Sequence, residues 1–211
     1  MDSTLINEEV IDELARTIGK TDVVSAITAR AMNGEIDFAT SLRERVTMLE
    51  GVRADVWDGL KQVVTIASGA RELIQGLKDK GVITGVISGG FAPMAEWLKE
   101  ELGLDYAFAN HLLTCPSTSS HPYPHLTGTL SPDHPIITPE LKKETLVRLA
   151  TQHEVALSET LAVGDGSNDL LMLHAAGIGV AYNAKSSVQE KAPMRLNGGS
   201  LADLLYLFGS R

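Results

Sequence analysis

Two hundred and eleven residues, 44% apolar and 21% charged, suffice for one medium domain, or one core with a small insertion, burying roughly 70% of the surface an unfolded chain exposes. That composition excludes disordered and collagen-like classes, and no apolar run reaches the ~18 residues of a membrane span, so a soluble protein without a membrane partner is expected. Eighteen Lys plus Arg against 27 Asp plus Glu leave a net charge of −9, and without a basic stripe such a surface repels phosphate backbones, which argues against a nucleic-acid partner. The single Cys115 has no disulfide partner within the chain, and no basic and apolar signal segment opens it; both point to a reducing cytoplasm.

The first 65 or so residues carry helical periodicity. Val10, Ile11, Leu14 and Ile18 share one face of a first helix; Thr21 and Asp22 can cap a second carrying Val23, Val24, Ile27 and Met32. Asp37 can cap a third, with Phe38, Leu42, Val46 and Leu49 on one face and Gly51 ending it. An amphipathic helix over 68–80 is closed by Gly81, and residues 82–87 form a short apolar strand of the kind buried on both faces. Further helices are expected at about 92–102, 139–151, 168–176, near Val188 and at 201–208. Strands are expected at 106–109, around a hairpin at 126–130, and at 160–163 and 178–182. This alternation is the signature of an α/β fold, a Rossmann-like parallel sheet covered on both faces. Residues 68–211 are therefore the α/β core, and the helical residues 7–67 are a cap. Residues 115–125 (CPSTSSHPYPH) are a polar Pro and Ser loop.

In open α/β sheets ligands sit beyond the carboxyl ends of the strands. After Ile87 comes Ser88-Gly89-Gly90-Phe91, a hydroxyl and two glycines before a helix, which lets bare N–H groups approach an anion or simply makes a tight turn. After Val163 comes Gly164-Asp165-Gly166-Ser167-Asn168-Asp169, where two carboxylates flank glycines. Such hard oxygen ligands suit Mg²⁺ better than zinc; helix capping by Asp165 or Asn168 is the plainer alternative. Asp2-Ser3-Thr4-Leu5 at the start of the chain adds a further acidic group. Cys115, His121, His125 and His134 match no zinc spacing, and a variable loop is the better account of them.

Taken together, DSTLINEEVIDELA, AMNGEIDFATSLRERV, ISGGF, GLDYAFAN, KKETL and VGDGSNDLLML resemble, in order and spacing, the phosphoserine phosphatase family of the haloacid dehalogenase-like hydrolases. The resemblance spans nearly the whole chain. It implies a haloacid dehalogenase-like core made of residues 1–6 and 68–211, with the 7–67 cap inserted after the first motif. It implies hydrolysis of O-phosphoserine to serine and phosphate with Mg²⁺, the last step of serine biosynthesis, through an aspartyl-phosphate. Within the resemblance Asp2 is the proton donor and acceptor, and its backbone carbonyl reaches the metal; Asp165 is the side-chain metal ligand, with Asp169 in support. Ser88, Gly89, Lys142 and Asn168 hold the phosphoryl group. Glu9 and Arg45 read the substrate ammonium and carboxylate, and Met32 and Phe38 close an apolar wall around the site. For Arg45 a surface pair with Glu44 or Asp37 is the bland alternative.

The chain departs from the family pattern at residue 1. The nucleophilic carboxylate belongs two residues before Asp2, immediately ahead of Met1, at the end of a ~5–6 residue apolar strand. The expectation is an upstream extension through that strand, with Met1 an internal methionine. The competing readings are a phosphatase or phosphotransferase for another small phosphomonoester, such as phosphothreonine or phosphohomoserine, and a catalytically dead phosphoserine-binding remnant.

Overall fold

The computed structural model describes residues 1–118 and 122–209, with the backbone alone at Met32. His121 of the Cys115 loop and the side chain of Met32 thus lie outside the described residues. Four helices follow the opening turn: α1 (Val10–Thr17), α2 (Thr21–Met32), α3 (Phe38–Thr47) and α4 (Val56–Val63). The Asp37 side chain accepts the Thr40 N–H at 2.6 Å, so it caps α3 as its sequence position suggests. Helix α2 corrects the expectation for Thr21 and Asp22. Its cap position is Lys20, no side-chain bond closes it, and both residues lie inside the helix. Helix α4 has no counterpart in the sequence reading; its eight residues place only Trp57 and Leu60 in the buried set, too short a stripe to stand out.

The α/β part runs α5 (Ala70–Lys78), β1 (Gly85–Phe91), α6 (Ala92–Leu102), β2 (Tyr106–Asn110), β3 (Leu112–Cys115), β4 (His125–Leu130) and α7 (Pro139–Gln152). It continues with β5 (Leu161–Gly164), a 3₁₀ turn at Ser167–Asp169, α8 (Leu170–Ala175), β6 (Ile178–Tyr182), α9 (Ser186–Gln189) and β7 (Met194–Leu196), and closes with a 3₁₀ helix at Leu201–Phe208. β1 pairs with β2 in parallel, β5 with β6 and β6 with β7 in parallel, and β3 with β4 antiparallel. Strand β1 starts three residues later than its apolar run. Ser88, Gly89 and Gly90 belong to its irregular end, where the register with β2 shifts between Ile87 and Phe91, and are not a turn after it. Three-residue β7, with two exposed positions, escaped the sequence reading because almost none of it is buried.

The helical residues join the α/β part at two adjacent crossings. Ile6 bridges Ile66, and Asn7 N–H donates to the Thr65 carbonyl at 3.0 Å. The Glu8 carboxylate accepts both the N–H and the hydroxyl of Thr65 at 2.8 Å. Between the crossings the helices share one core with the sheet. Val10, Leu14, Leu42, Leu49 and Trp57 are buried together with Val86, Phe91, Met94 and Leu98. Phe91, 1% exposed, meets the Trp57 ring at a centroid distance of 5.7 Å. Phe91→Ala is therefore expected to cost about 3–5 kcal/mol in urea unfolding, because the cavity opens where two layers meet.

Candidate active site

Met1 folds the start of the chain into a turn at the carboxyl ends of β1 and β5. Its carbonyl accepts from the N–H groups of Thr4, Leu5 and Ile6 at 3.3, 2.8 and 3.1 Å. Ser3 holds a left-handed backbone (φ 51°) and donates its hydroxyl to Glu9 at 2.6 Å. Thr4 donates to Asp165 Oδ1 at 2.7 Å, tying this turn to the loop after β5.

Around that turn the groups singled out in the sequence converge. A Cβ placed on Gly90 would lie 3.1 Å from both Asp2 Oδ2 and Ser88 Oγ and 2.8 Å from Met1 Cε. The absence of a side chain at Gly90 is thus what lets these groups meet. Ser88 is 2% exposed and its hydroxyl accepts the Gly90 N–H at 2.9 Å. At Gly89 the same test meets Phe38 of α3 at 2.9 Å and Asn168 Nδ2 at 3.7 Å, so Phe38 and Asn168 flank the glycine pair. In the loop after β5, Asp169 fills the space a Gly164 side chain would need, with Cγ at 2.5 Å, and accepts the Gly166 N–H at 3.1 Å. Its other oxygen accepts from Lys142 Nζ at 2.7 Å, an ion pair almost wholly removed from solvent. Lys142 and Asp169 hold each other, and the Lys142 charge also acts on Asp2.

Burial dominates the electrostatics. Asp2 is pushed from 3.8 up to about 7, first by desolvation, with the Met1 amino group and Lys142 opposing the rise and Glu9 and Asp165 adding to it. Asp2 Oδ1 is buried with no hydrogen-bond partner among the described residues. Asp165 is raised by burial and by Asp169, against the Thr4 hydrogen bond. Glu9 keeps surface at the mouth, yet desolvation raises it, with the Ser3 hydroxyl opposing. Arg45 is lowered by desolvation and pulled back up by Glu9, Asp12 and Asp2, the anions it faces. Its Nε donates to the Ser41 carbonyl at 3.3 Å. Glu44 pairs with Arg30 and Asp37 caps α3, so neither is Arg45's partner.

An orphaned, buried carboxylate oxygen on Asp2 beside the Asp165 carboxylate is an all-oxygen donor pair of the kind that suits a small hard cation completed by carbonyl, water and substrate oxygens. No group of three or more His, Cys, Asp or Glu side chains assembles into a metal cluster among the described residues. His134 of the loop region stacks on His111 at 3.7 Å, and His125 sits opposite Cys115 in the β3–β4 ladder.

Two residues were given no role on sequence grounds. Asn110, 1% exposed, donates to the Gly89 carbonyl at 2.8 Å and accepts the Ile137 N–H at 2.9 Å, so it braces the glycine pair from behind. A buried Asn ending a strand is the available signal. Thr4, 5% exposed, orients Asp165, and a hydroxyl two residues from an acidic group gives no sign of a partner 161 positions away.

With divalent ions chelated, Asp2→Asn should raise the melting temperature at about pH 8 by several degrees and leave it unchanged near pH 4. The native pKa of Asp2 lies above its ordinary value, so the folded state holds the extra proton. Destabilisation by the parent carboxylate accumulates as pH rises from about 4 to about 7 and is complete above that.

Comparison with known proteins agrees with this geometry. The model of the haloacid dehalogenase-like hydrolases matches residues 1–177. Phosphoserine phosphatase of Saccharomyces cerevisiae is 43% identical over 211 residues, 99% of this chain and 65% of the yeast protein. That of Lactococcus lactis is 40% identical over 97% of this chain and 91% of its own length. This chain thus spans just under two thirds of the yeast relative and most of the bacterial one. A solved substrate-bound phosphoserine phosphatase complex superposes with a TM-score of 0.86 at 37% identity, covering 98% of this chain and 94% of that one. The chain belongs to the haloacid dehalogenase-like hydrolases, in the branch that holds the phosphoserine phosphatases.

Proposed function

We propose that this chain forms the substrate site of a phosphatase that releases serine and phosphate from O-phosphoserine. The observation that carries the reading is the facing pair of Glu9 and Arg45, an anion and a cation that influence each other without an ion pair among the described contacts. Glu9 is held by the Ser3 hydroxyl of the turn that carries Asp2, and Arg45 feels the Asp2 charge. A zwitterion between them meets an opposite charge at each end, the arrangement an amino-acid ester needs and a sugar phosphate does not.

The division of labour follows from the groups present. Ser88, the Gly89 N–H, Asn168 and Lys142 supply donors and positive charge for the three equatorial phosphoryl oxygens, where charge is spread in transfer. The Asp169 contact fixes the Lys142 ammonium and leaves two of its protons for substrate. Burial holds Asp2 above the ordinary carboxylate range, the direction needed by a group that first donates and later accepts a proton. As the serine oxygen–phosphorus bond breaks, the Asp2 proton passes to the departing oxygen. The Asp2 carboxylate then takes a proton from the water that attacks phosphorus. Asp2 and Asp165 would hold Mg²⁺, which when bound neutralises phosphoryl charge. In the family pattern the phosphoryl group is received by a carboxylate two residues before the Asp2 position, its bond to phosphorus forming as the serine oxygen leaves and breaking as water attacks. Phe38 excludes water over the glycine pair. The half-buried Cys115 suits a reducing cytoplasm.

The test joins an apolar strand ending in Asp to Met1 and assays O-phospho-amino acids and sugar phosphates with Mg²⁺. Phosphoserine is expected to be preferred; preference for a sugar phosphate overturns the reading. Arg45→Ala should raise KM for phosphoserine at least tenfold and spare a carboxylate-free phosphomonoester, whereas equal loss on both gives Arg45 a phosphate or structural role. Asp165→Asn should lower turnover by 100-fold or more (an estimate of about 2.7 kcal/mol or above) and weaken the Mg²⁺ dependence, read as rate against Mg²⁺ concentration.

A further inference from the structure

Residues 131–138 carry the chain from the end of β4 to α7, the helix that bears Lys142, and they are fastened along residues 110–111. The Ser131 N–H donates to the His111 carbonyl at 2.8 Å, and the Ile137 N–H donates to Asn110 Oδ1 at 2.9 Å. Between these two bonds the His134 ring stacks on the His111 ring, with centroids 3.7 Å apart and planes 15° from parallel. Thr138, one residue beyond Ile137, accepts the Leu141 N–H at 3.2 Å and caps α7. The same Asn110 side chain donates to the Gly89 carbonyl at 2.8 Å. This fastening therefore reaches both the glycine pair and the helix that carries Lys142.

Stacked imidazoles are held by packing while neutral, and one proton is tolerated because a cation over a π-face is attracted to it. Two protons set like charges against each other in a partly desolvated contact, which drives the rings apart. Desolvation and His134 hold His111 below the ordinary histidine value of 6.5, with Glu96 of α6 opposing. Glu96 is thus the carboxylate that acts on the pair from α6. On the linker, Asp133 precedes His134, and Ser131 Oγ, which accepts the Asp133 N–H at 3.3 Å, lies 3.4 Å from His134 Nδ1. Pro132 and Pro135 on either side have no N–H to add to the fastening. The closed linker is favoured above about pH 6.5 and loses that support as the pH falls through the lower native value of His111.

We propose that His111 and His134 form a proton-operated clasp on residues 131–138, closed while at most one ring is charged and open when both are. Opening frees the Ile137 N–H from Asn110, and with it the brace behind Gly89 and the seating of the α7 cap. Acid thus loosens the phosphoryl end of the site from a surface remote from its carboxylates. This goes beyond the phosphatase reading and does not depend on it, because the clasp is read without any assay of turnover.

Amide exchange followed by NMR on the 211-residue chain at about pH 7.5 and about pH 5, each rate divided by the intrinsic rate at that pH, reads the clasp directly. Protection of the Ile137 N–H is expected to fall at least tenfold at the lower pH while the amides of β6 keep theirs. The ring C–H signals of His111 and His134 should titrate in two separated steps. His134→Phe and His111→Phe each keep an aromatic stack but remove the second proton, and either should hold Ile137 protection equal at both pH values. Unchanged protection in the parent chain overturns the proposal, and so does a tenfold loss that persists in a folded variant, which places the acid-sensitive group elsewhere. A loss shared by the β6 amides marks general acid unfolding and overturns it as well. The two variants alter opposite sides of the contact, so either one, once shown to be folded by circular dichroism, decides the outcome. Failure of both to fold would make the rings a packing element and not a clasp.

Discussion

Crowding of carboxylates at the ends of two strands is the constraint around which the site is organised. Asp2, Asp165, Asp169 and Glu9 come from segments up to 167 positions apart in the sequence, and burial raises the pKa of three of them. Like charges at short range in a desolvated site are unfavourable unless cations are supplied. Lys142 is committed to Asp169 at 2.7 Å, and Arg45 faces Glu9, Asp12 and Asp2. Asp2 Oδ1 remains unmatched among the described residues. Under the proposed function a divalent cation would relieve this anionic pressure and would admit a phosphate to a region that the net charge of −9 otherwise disfavours.

Glycines make the crowding sterically feasible. At Gly90 a methyl would collide with Met1 and crowd Asp2 and Ser88; at Gly164 it would overlap Asp169; at Gly166 it would lie 2.2 Å from Asn168 Oδ1. These positions carry ordinary negative φ, so their requirement is close approach and not backbone conformation. Asn110 then fixes the Gly89 carbonyl from the opposite side, which turns a permissive segment into an ordered one.

The helical residues are not a loosely attached lid in this conformation. They share buried contacts with β1 and α6, and the paired crossings at 5–7 and 65–67 hold entry and exit side by side. Phe38 and Arg45 are delivered to the site by one helix, α3, capped by Asp37. In the proposed function α3 would bring Arg45 and Phe38 to the site together, and Glu9 would come from the start of α1.

Much of this was legible in the residues alone. Alternating apolar runs and helical stripes gave the α/β order, including β6 at Ile178–Tyr182 and α6 at Ala92–Leu102 as expected, because periodicity and caps are local properties. The candidate site residues Asp2, Ser88, Lys142 and Asp165 came from the resemblance of whole motifs to a known family, and Lys142, inside α7, carries no local mark of its own. Elements with little buried surface, α4 and β7, left no such mark. Tertiary structure alone decided the partnerships: Thr4 with Asp165, Lys142 with Asp169, and Asn110 behind Gly89. Each depends on distances across chain separations of 21 to 161 residues, and a linear sequence carries the identity of the groups but not the geometry that sets their charges against one another.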